Sequence, residues 1–247
     1  MSPLLEAVDL HIRFGGVVAA AGIHLRVFPG ELLAIIGPNG AGKTTFLNLC
    51  TGYLRPQRGK VYLEGREITG LPPRAIARLG VARAFQVPQL FAAHTVEENL
   101  LLALAAREGF WSWAPLRLRH RLEEGQRLLR LLELAALGGV PVEEAPEGVR
   151  KLLDVAMALA LRPRLLLLDE PTSGVSSEEK FRVMDTLVQA LRAQGVTAVF
   201  VEHDMEVVRR YADRVAVWAE GRILAEGAPG QVLRDPEVLA SVVGVEE

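Results

Sequence analysis

The chain has 247 residues, of which 50% are hydrophobic and 23% charged, with a formal net charge of −2 at pH 7. This length suits one large domain or a core with an appended subdomain, and the hydrophobic content excludes a disordered chain. The near-neutral charge argues against a strongly basic nucleic-acid binder and favours nucleotides or proteins as partners. A single cysteine, Cys50, rules out an internal disulfide and fits a reducing cytosol.

Two kinds of segment alternate along the chain. Short apolar runs predict strands at 31–37, 164–170, 196–204 and 214–221. Two of these runs are apolar on both faces, which is typical of central parallel strands covered on each side. Longer segments predict helices at 43–50, 95–107, 119–136, 149–161, 177–194 and 205–211.

The block from about 88 to 162 interrupts this alternation, because it is rich in predicted helix and has no convincing strand. Thr95 and Glu98 form a capping-box pattern that predicts a helix start there. The sequence therefore predicts an α/β nucleotide-binding core (1–87 and 163–247) with a mixed, mainly parallel sheet, an inserted helical subdomain and a small N-terminal β region. The stretch 109–120 is expected to be a surface excursion whose two tryptophans pack the subdomain or contact a partner.

Targeting and membrane signals are weak in this sequence. The first ten residues lack a basic region followed by an apolar one, so no signal peptide is expected. Apolar runs such as 100–106 fall short of the roughly 18 residues that span a bilayer. Any membrane role is therefore expected to be peripheral, through a partner.

Residues 37–44, GPNGAGKT, match the phosphate-binding pattern G-x-x-x-x-G-K-[ST] between a predicted strand and a predicted helix. The glycines permit turns whose N–H groups point at phosphate oxygens, and the helix dipole favours the same anion. Lys43 is expected to reach the β and γ phosphates, and Thr44 to offer its hydroxyl to Mg²⁺. Only four of the 28 basic residues are lysines, so a lysine here is unusually informative. The predicted phosphate contacts are Gly37, Pro38, Asn39, Gly40, Ala41, Gly42, Lys43, Thr44 and Thr45.

Two carboxylates, Asp169 and Glu170, end the apolar run LLLLDE. Asp169 is placed to hold Mg²⁺ through water, and Glu170 to polarise the attacking water. Many strands end in acidic residues, but together with a phosphate loop the pattern indicates nucleotide hydrolysis.

In order and spacing, these motifs resemble the nucleotide-binding subunit of ATP-binding cassette (ABC) transporters, from about residue 4 to the end of the chain. The resemblance implies ATP and Mg²⁺ as cofactors. It also implies that Phe14 stacks on adenine, although a strand-end core aromatic is the alternative. It further implies that Gln86 lies near Mg²⁺ and the attacking water and that His203 contacts the γ-phosphate. The details RFGG, GLPP, RAFQ and EHDM most resemble LivG-type ATPases, which power importers of branched-chain amino acids and related small solutes.

The sequence departs from the family at two segments. The family signature Leu-Ser-Gly-Gly-Gln corresponds here to residues 145–149, APEGV, of which only Gly148 matches. The serine hydroxyl is missing, and Glu147 should repel a phosphate. Losing one charge-assisted hydrogen bond costs about 1.5–3 kcal/mol. Met157 replaces the usual arginine later in this helix, and Ser176 replaces the usual aspartate in the second segment, where it still forms a capping box with Glu179.

The resemblance implies that the intact residues and the degraded segments act at different ATP sites. The residues that act on the chain's own ATP are intact, whereas both degraded segments are those donated across a dimer. This predicts a heterodimer with a second ATPase that has an intact signature. The expected setting is the cytoplasmic face of the cell membrane, with two transmembrane permease subunits and, indirectly, a periplasmic solute-binding protein.

Other functions remain open at this stage. A lipid or lipopolysaccharide exporter uses a similar cassette, because substrate choice lies in other subunits. A soluble ABC-type ATPase of DNA repair or translation would show salt-dependent nucleic-acid binding. A P-loop kinase would transfer phosphate to a small molecule, and a GTPase would carry a base-reading motif that this sequence lacks.

Overall fold

A computed structural model describes residues 1–108 and 115–243. The strands are β1 (Leu5–Phe14), β2 (Val17–Val27), β3 (Leu32–Ile36), β4 (Arg58–Leu63), β5 (Arg66–Glu67), β6 (Val81–Ala84), β7 (Leu165–Asp169), β8 (Thr197–Val201), β9 (Arg214–Ala219) and β10 (Arg222–Gly227). The helices are α1 (Lys43–Cys50), α2 (Pro73–Arg78), α3 (Val96–Glu108), α4 (Arg119–Leu131), α5 (Glu147–Ala160), α6 (Glu179–Gln194), α7 (Met205–Tyr211), α8 (Pro229–Val232) and α9 (Pro236–Val243).

A six-stranded sheet with the order β10-β9-β3-β8-β7-β6 forms the centre of the core. Five of these strands are parallel, and β10 pairs antiparallel with β9 at one edge. Every residue of β3, β7 and β8 is buried, as the runs apolar on both faces predict for 33–36 in β3 and 165–168 in β7. The prediction of a mixed, mainly parallel sheet is confirmed.

A second sheet, with the order β2-β1-β4-β5, is antiparallel and forms the small N-terminal β region. Helix α1 packs in the hydrophobic core that this sheet shares with the parallel one, and Phe46 meets Trp218 with ring centroids 5.2 Å apart. Cys50 lies in the same core and is fully buried. It is therefore a small apolar side chain in this fold.

Helices α3, α4 and α5 pack on one another around a leucine-rich core. The predicted capping box is confirmed, because the Glu98 N–H donates to Thr95 Oγ1 at 3.2 Å and the Thr95 N–H to Glu98 Oε2 at 3.1 Å. Within 88–108 and 115–162 no strand forms. The bounds of the inserted subdomain stay a prediction, and the tryptophans at 111 and 113 lie outside the described residues.

The predicted end of α4 and the predicted start of α5 differ from the structure. Helix α4 ends at Leu131 rather than at 136, because the backbone turns at Glu133, whose φ is 58°, and the Leu134 N–H bonds back to the Leu129 carbonyl. Helix α5 begins at Glu147, two residues earlier than predicted, with Pro146 at its N-cap. Among the described residues, none of the helices has the length and apolar character needed to cross a membrane.

Candidate nucleotide-binding site

The carboxyl ends of the parallel strands bring the predicted site residues to one edge of the sheet. The phosphate loop follows β3, Gln86 follows β6, Glu170 follows β7 and His203 follows β8. Ligands of open α/β sheets bind at this edge. Phe14 lies on a different element, as the exposed last residue of β1, where it pairs with Val17 of β2.

Two glycines of the phosphate loop have no room for a side chain. A Cβ at Gly37 would lie 2.1 Å from the Trp218 carbonyl oxygen, and one at Gly42 would lie 2.0 Å from the Ala19 carbonyl oxygen. Their φ angles are 148° and 102°, a region that L-residues rarely adopt. Packing and backbone conformation thus both require glycine at these positions.

The loop is open to solvent at residues 38–40, and α1 begins directly after it without a side-chain cap. The first N–H groups of α1 are therefore available to an anion. Lys43 is buried, and its Nζ donates to the carbonyl oxygens of Gly37 at 2.7 Å and Pro38 at 2.9 Å. Burial lowers the pKa of Lys43, while Glu170 and Asp169 act in the opposite direction. An uncapped helix start beside an ammonium suits a polyphosphate.

Asp169 lies between Thr44 and an arginine that sequence reasoning missed. Thr44 Oγ1 is 3.4 Å from Asp169 Oδ1, and Arg83 Nη2 donates to Asp169 Oδ2 at 2.7 Å. Arg83 also donates to Asn48. A hydroxyl beside a carboxylate is a donor set that suits Mg²⁺. No spacing in VARAFQ distinguishes Arg83 from an ordinary strand residue.

Replacing Arg83 with methionine should destabilise the fold. The Arg83 and Asp169 side chains are only 6% and 3% exposed, so removing one partner leaves the other charge buried and unpaired. We expect the free energy of unfolding to fall by about 3–5 kcal/mol. Urea denaturation measures this change. Arg58→Met breaks a solvent-exposed pair and should leave stability nearly unchanged, so equal effects of the two variants would contradict the assignment.

Glu170 is held by two other predicted catalytic side chains, those of Gln86 and His203. Gln86 Nε2 donates to Glu170 Oε2 at 2.7 Å, and His203 Nε2 lies 2.8 Å from Glu170 Oε1. The Glu170 backbone has a φ of 50°, in the left-handed region. A carboxylate oriented from both sides at the edge of a phosphate loop is suited to accept a proton from water.

Comparisons with known proteins agree with this geometry. A profile of the ABC transporter family matches residues 20–173. The chain belongs to the ABC transporter family. It is 36% identical to a probable branched-chain amino acid transport ATP-binding protein LivG of Archaeoglobus fulgidus, over 99% of this chain and 96% of that protein. It is also 36% identical to the high-affinity branched-chain amino acid transport ATP-binding protein LivG of Escherichia coli, over 98% of each chain.

Solved structures support the same assignment. The crystal structure of an ATP-binding cassette of an ABC transporter, in its ADP conformation, superposes with a TM-score of 0.89. The two sequences are 31% identical, and the superposition covers 99% of this chain and 100% of the solved one. This ABC-family chain is therefore an ATP-binding, ATP-hydrolysing subunit with the ABC ATPase fold.

A second feature of this ABC ATPase that the sequence did not reveal is Glu202. Its buried carboxylate accepts from the Thr172 N–H at 3.1 Å, the Thr172 hydroxyl at 2.7 Å and the His203 N–H at 3.2 Å. Burial raises the pKa of Glu202. Glu202 thereby ties the segment after Glu170 to the one that holds His203. The position of Glu202 directly before His203 in the EHD motif is the sequence feature from which its role could have been predicted.

Asp154 of this ABC ATPase is another buried carboxyl, on α5, and it accepts from the Phe85 N–H at 2.9 Å. Burial raises its pKa from 3.8 to about 6. The folded chain thus binds this proton more tightly than the unfolded chain does. The group therefore favours folding at low pH, and this contribution is lost as the pH rises from about 4 towards 7.

Asp154→Asn should remove this pH dependence. A shift of about two pKa units corresponds to roughly 3 kcal/mol. The unfolding free energy of the variant minus that of wild type, measured by urea denaturation, should therefore rise by up to about 3 kcal/mol from pH 4 to pH 7. A difference that stays constant over that range would contradict the assignment.

The two degraded segments of this ABC ATPase contact each other. Glu147 lies in the first turn of α5 and pairs with Arg150 at 2.8 Å. A Cβ on Gly174 would lie 3.4 Å from Glu147 Cγ, and one on Gly148 would lie 3.2 Å from Val183 Cγ2. Gly148 thus has a packing reason to be glycine. The predicted capping box of Ser176 and Glu179 forms only in part. The Glu179 N–H donates to Ser176 Oγ at 3.3 Å, but the Glu179 carboxylate accepts from the Ser176 hydroxyl at 3.4 Å, and α6 begins at Glu179 with Glu178 at its N-cap.

Proposed function

We propose that this chain is the ATP-hydrolysing subunit of an importer of branched-chain amino acids or related small solutes. The observation that carries the proposal is the full-length similarity to proteins named as branched-chain amino acid transport ATP-binding proteins. The Archaeoglobus fulgidus protein is 36% identical over 99% of this chain. The intact cluster around Glu170 supports active hydrolysis rather than a binding role alone.

In the proposed reaction, residues 37–45 bind the phosphates of ATP, and Lys43 turns from the loop carbonyls to the β and γ phosphates. Thr44 and Asp169, with Gln86, would hold Mg²⁺, which when bound neutralises charge on the β and γ phosphates. Glu170 accepts the proton of the attacking water. His203 and Gln86 keep the Glu170 carboxylate aimed at that water, and His203 contacts the γ-phosphate. Phe14 stacks on the adenine.

We infer that the chain works beside a second, different ATPase. Pro146 and Glu147 stand where the family's Ser and Gly would meet the partner's ATP, and proline has no N–H to donate. The ion pair of Glu147 with Arg150 does not remove the carboxylate from that position. An intact signature on the partner would complete this chain's own site.

Exposed apolar residues near Gln86 support docking of transmembrane subunits. Val87 is 70% exposed, Tyr53 56% and Phe91 53%. Contiguous exposed apolar patches commonly mark an interface, and Tyr53 lies against Phe85, the residue before Gln86, with ring centroids 6.1 Å apart. We propose that two permease subunits dock here and hold the chain at the cytoplasmic face of the cell membrane, while a periplasmic binding protein delivers the solute from the other side.

An uptake assay tests the proposed function. The chain is reconstituted in vesicles with its second ATPase, its permease pair and its binding protein, and uptake of labelled leucine is measured. We expect uptake that requires ATP and is lost with Lys43→Ala. Leucine uptake that does not depend on ATP, or export of lipid in its place, would contradict the proposal.

A further inference from the structure

Lys151 is one of only four lysines in the chain, and it is 5% exposed. It lies on α5, one turn after Glu147. Its Nζ donates to the carbonyl oxygen of Glu170 at 3.2 Å and to the carbonyl oxygen of Gln86. One ammonium group therefore joins α5 to the backbones of two residues of the catalytic cluster.

This placement is costly, which argues that it has a specific role. Burial disfavours the charged form of an amine, and it lowers the pKa of Lys151. The described hydrogen-bond partners of Lys151 are backbone carbonyls rather than a carboxylate. A methionine would fill the same volume without that cost. The lysine is thus unfavourable for packing alone.

The residues that Lys151 joins also need support. Glu170 has a φ of 50°, a conformation that non-glycine residues keep only when their surroundings hold it. The side chains of Gln86 and Glu170 meet at 2.7 Å, and Lys151 fixes the backbones from which both side chains extend. The neighbouring Asp154, on the same face of α5, holds the Phe85 N–H at 2.9 Å. The segment containing Gln86 is therefore attached to α5 at two successive residues.

We propose that Lys151 is a positioning residue that sets the distance between Gln86 and Glu170 according to the position of α5. The start of α5, at Glu147 and Gly148, is the part that faces the partner's ATP under the proposed function, on which this step rests. A displacement of α5 would be passed through Lys151 to the backbone of Glu170. The state of the partner's ATP site is thereby coupled to hydrolysis in this chain.

Hydrogen exchange on the isolated chain tests the positioning role without any need for hydrolysis. In Lys151→Met, peptides covering 85–88 and 169–173 should exchange at least tenfold faster than in wild type, while those of β3 stay unchanged. Lys60→Met, which removes an exposed lysine paired with Glu67, is the matched control and should leave both segments unchanged. Wild-type exchange in both segments of Lys151→Met would overturn the proposal.

ATP turnover in the complex with the second ATPase tests the consequence. For Lys151→Met we expect kcat to fall at least tenfold, while the Kd for a fluorescent ATP analogue changes less than threefold, because Lys151 donates to the carbonyl oxygens of Gln86 and Glu170, which lie outside the phosphate loop. Lys151→Gln, which keeps an NH₂ donor group, should lose less activity. ATP turnover by Lys151→Met within twofold of wild type would overturn the proposal. So would a loss of activity that tracks the thermal stability of the two variants rather than their ability to donate hydrogen bonds. An inactive wild-type complex would reject the proposed function, and the exchange measurement would still decide the role of Lys151.

Discussion

Glu170→Gln should lower ATP turnover in the complex at least a hundredfold while leaving ATP bound. The amide keeps the shape of the side chain. Its oxygen can accept from Gln86 Nε2, as Glu170 Oε2 does at 2.7 Å, and its NH₂ group then faces His203 Nε2, which lies 2.8 Å from Glu170 Oε1. It cannot accept a proton from water at neutral pH. Losing a general base costs about 10²–10⁴-fold in rate.

Two measurements distinguish this result from simple unfolding. Phosphate release should fall by at least a hundredfold, and ATP should remain unhydrolysed on the complex after gel filtration. Glu237→Gln, at an exposed carboxylate of α9, is the control and should behave as wild type. Wild-type turnover by Glu170→Gln would show that another residue activates the water.

Repairing the degraded signature should raise the activity of the partner's site. The variant combines Pro146→Ser, Glu147→Gly and Val149→Gln, which restores a hydroxyl, removes a negative charge and leaves Gly148 in place. A regained charge-assisted hydrogen bond is worth about 1.5–3 kcal/mol, or roughly 10- to 100-fold in rate. The expected gain is therefore of that order.

The gain is best measured in the Glu170→Gln background, where the remaining turnover comes from the partner's site. Glu144→Gly, which removes a nearby exposed acid, is the matched control and should have little effect. Turnover that stays unchanged or falls after the repair would mean that residues 145–149 do not limit the partner's site.

The parts of this structure that the sequence predicts are those with short-range causes. The strand cores, the phosphate loop and the capping box of Thr95 and Glu98 follow from local pattern, and the structure shows each of them. The placement of Gln86, Glu170 and His203 at one edge follows from the parallel order of the strands that precede them. Their catalytic roles stay predictions that rest on resemblance.

The contacts that the sequence did not reveal are long-range and involve ordinary residue types. Arg83 reaches Asp169 across 86 positions, and Lys151 reaches Gln86 across 65. Neither residue stands at a fixed offset from its partner, so no local spacing predicts the contact. The scarcity of lysine sets Lys151 apart in the sequence, but it points to no partner, and the sequence predicts no role for this residue. Helix ends such as that of α4 depend on single backbone turns, which propensity does not determine.

The central claim is that this chain has an intact site of its own and needs a partner to complete it. The most direct test compares ATP turnover of the purified chain alone with turnover of an equimolar mixture with the second ATPase of its transporter. We predict that the mixture turns over at least tenfold faster per site and that Glu170→Gln removes this gain. Vigorous hydrolysis by the chain alone, as a homodimer, would contradict the claim.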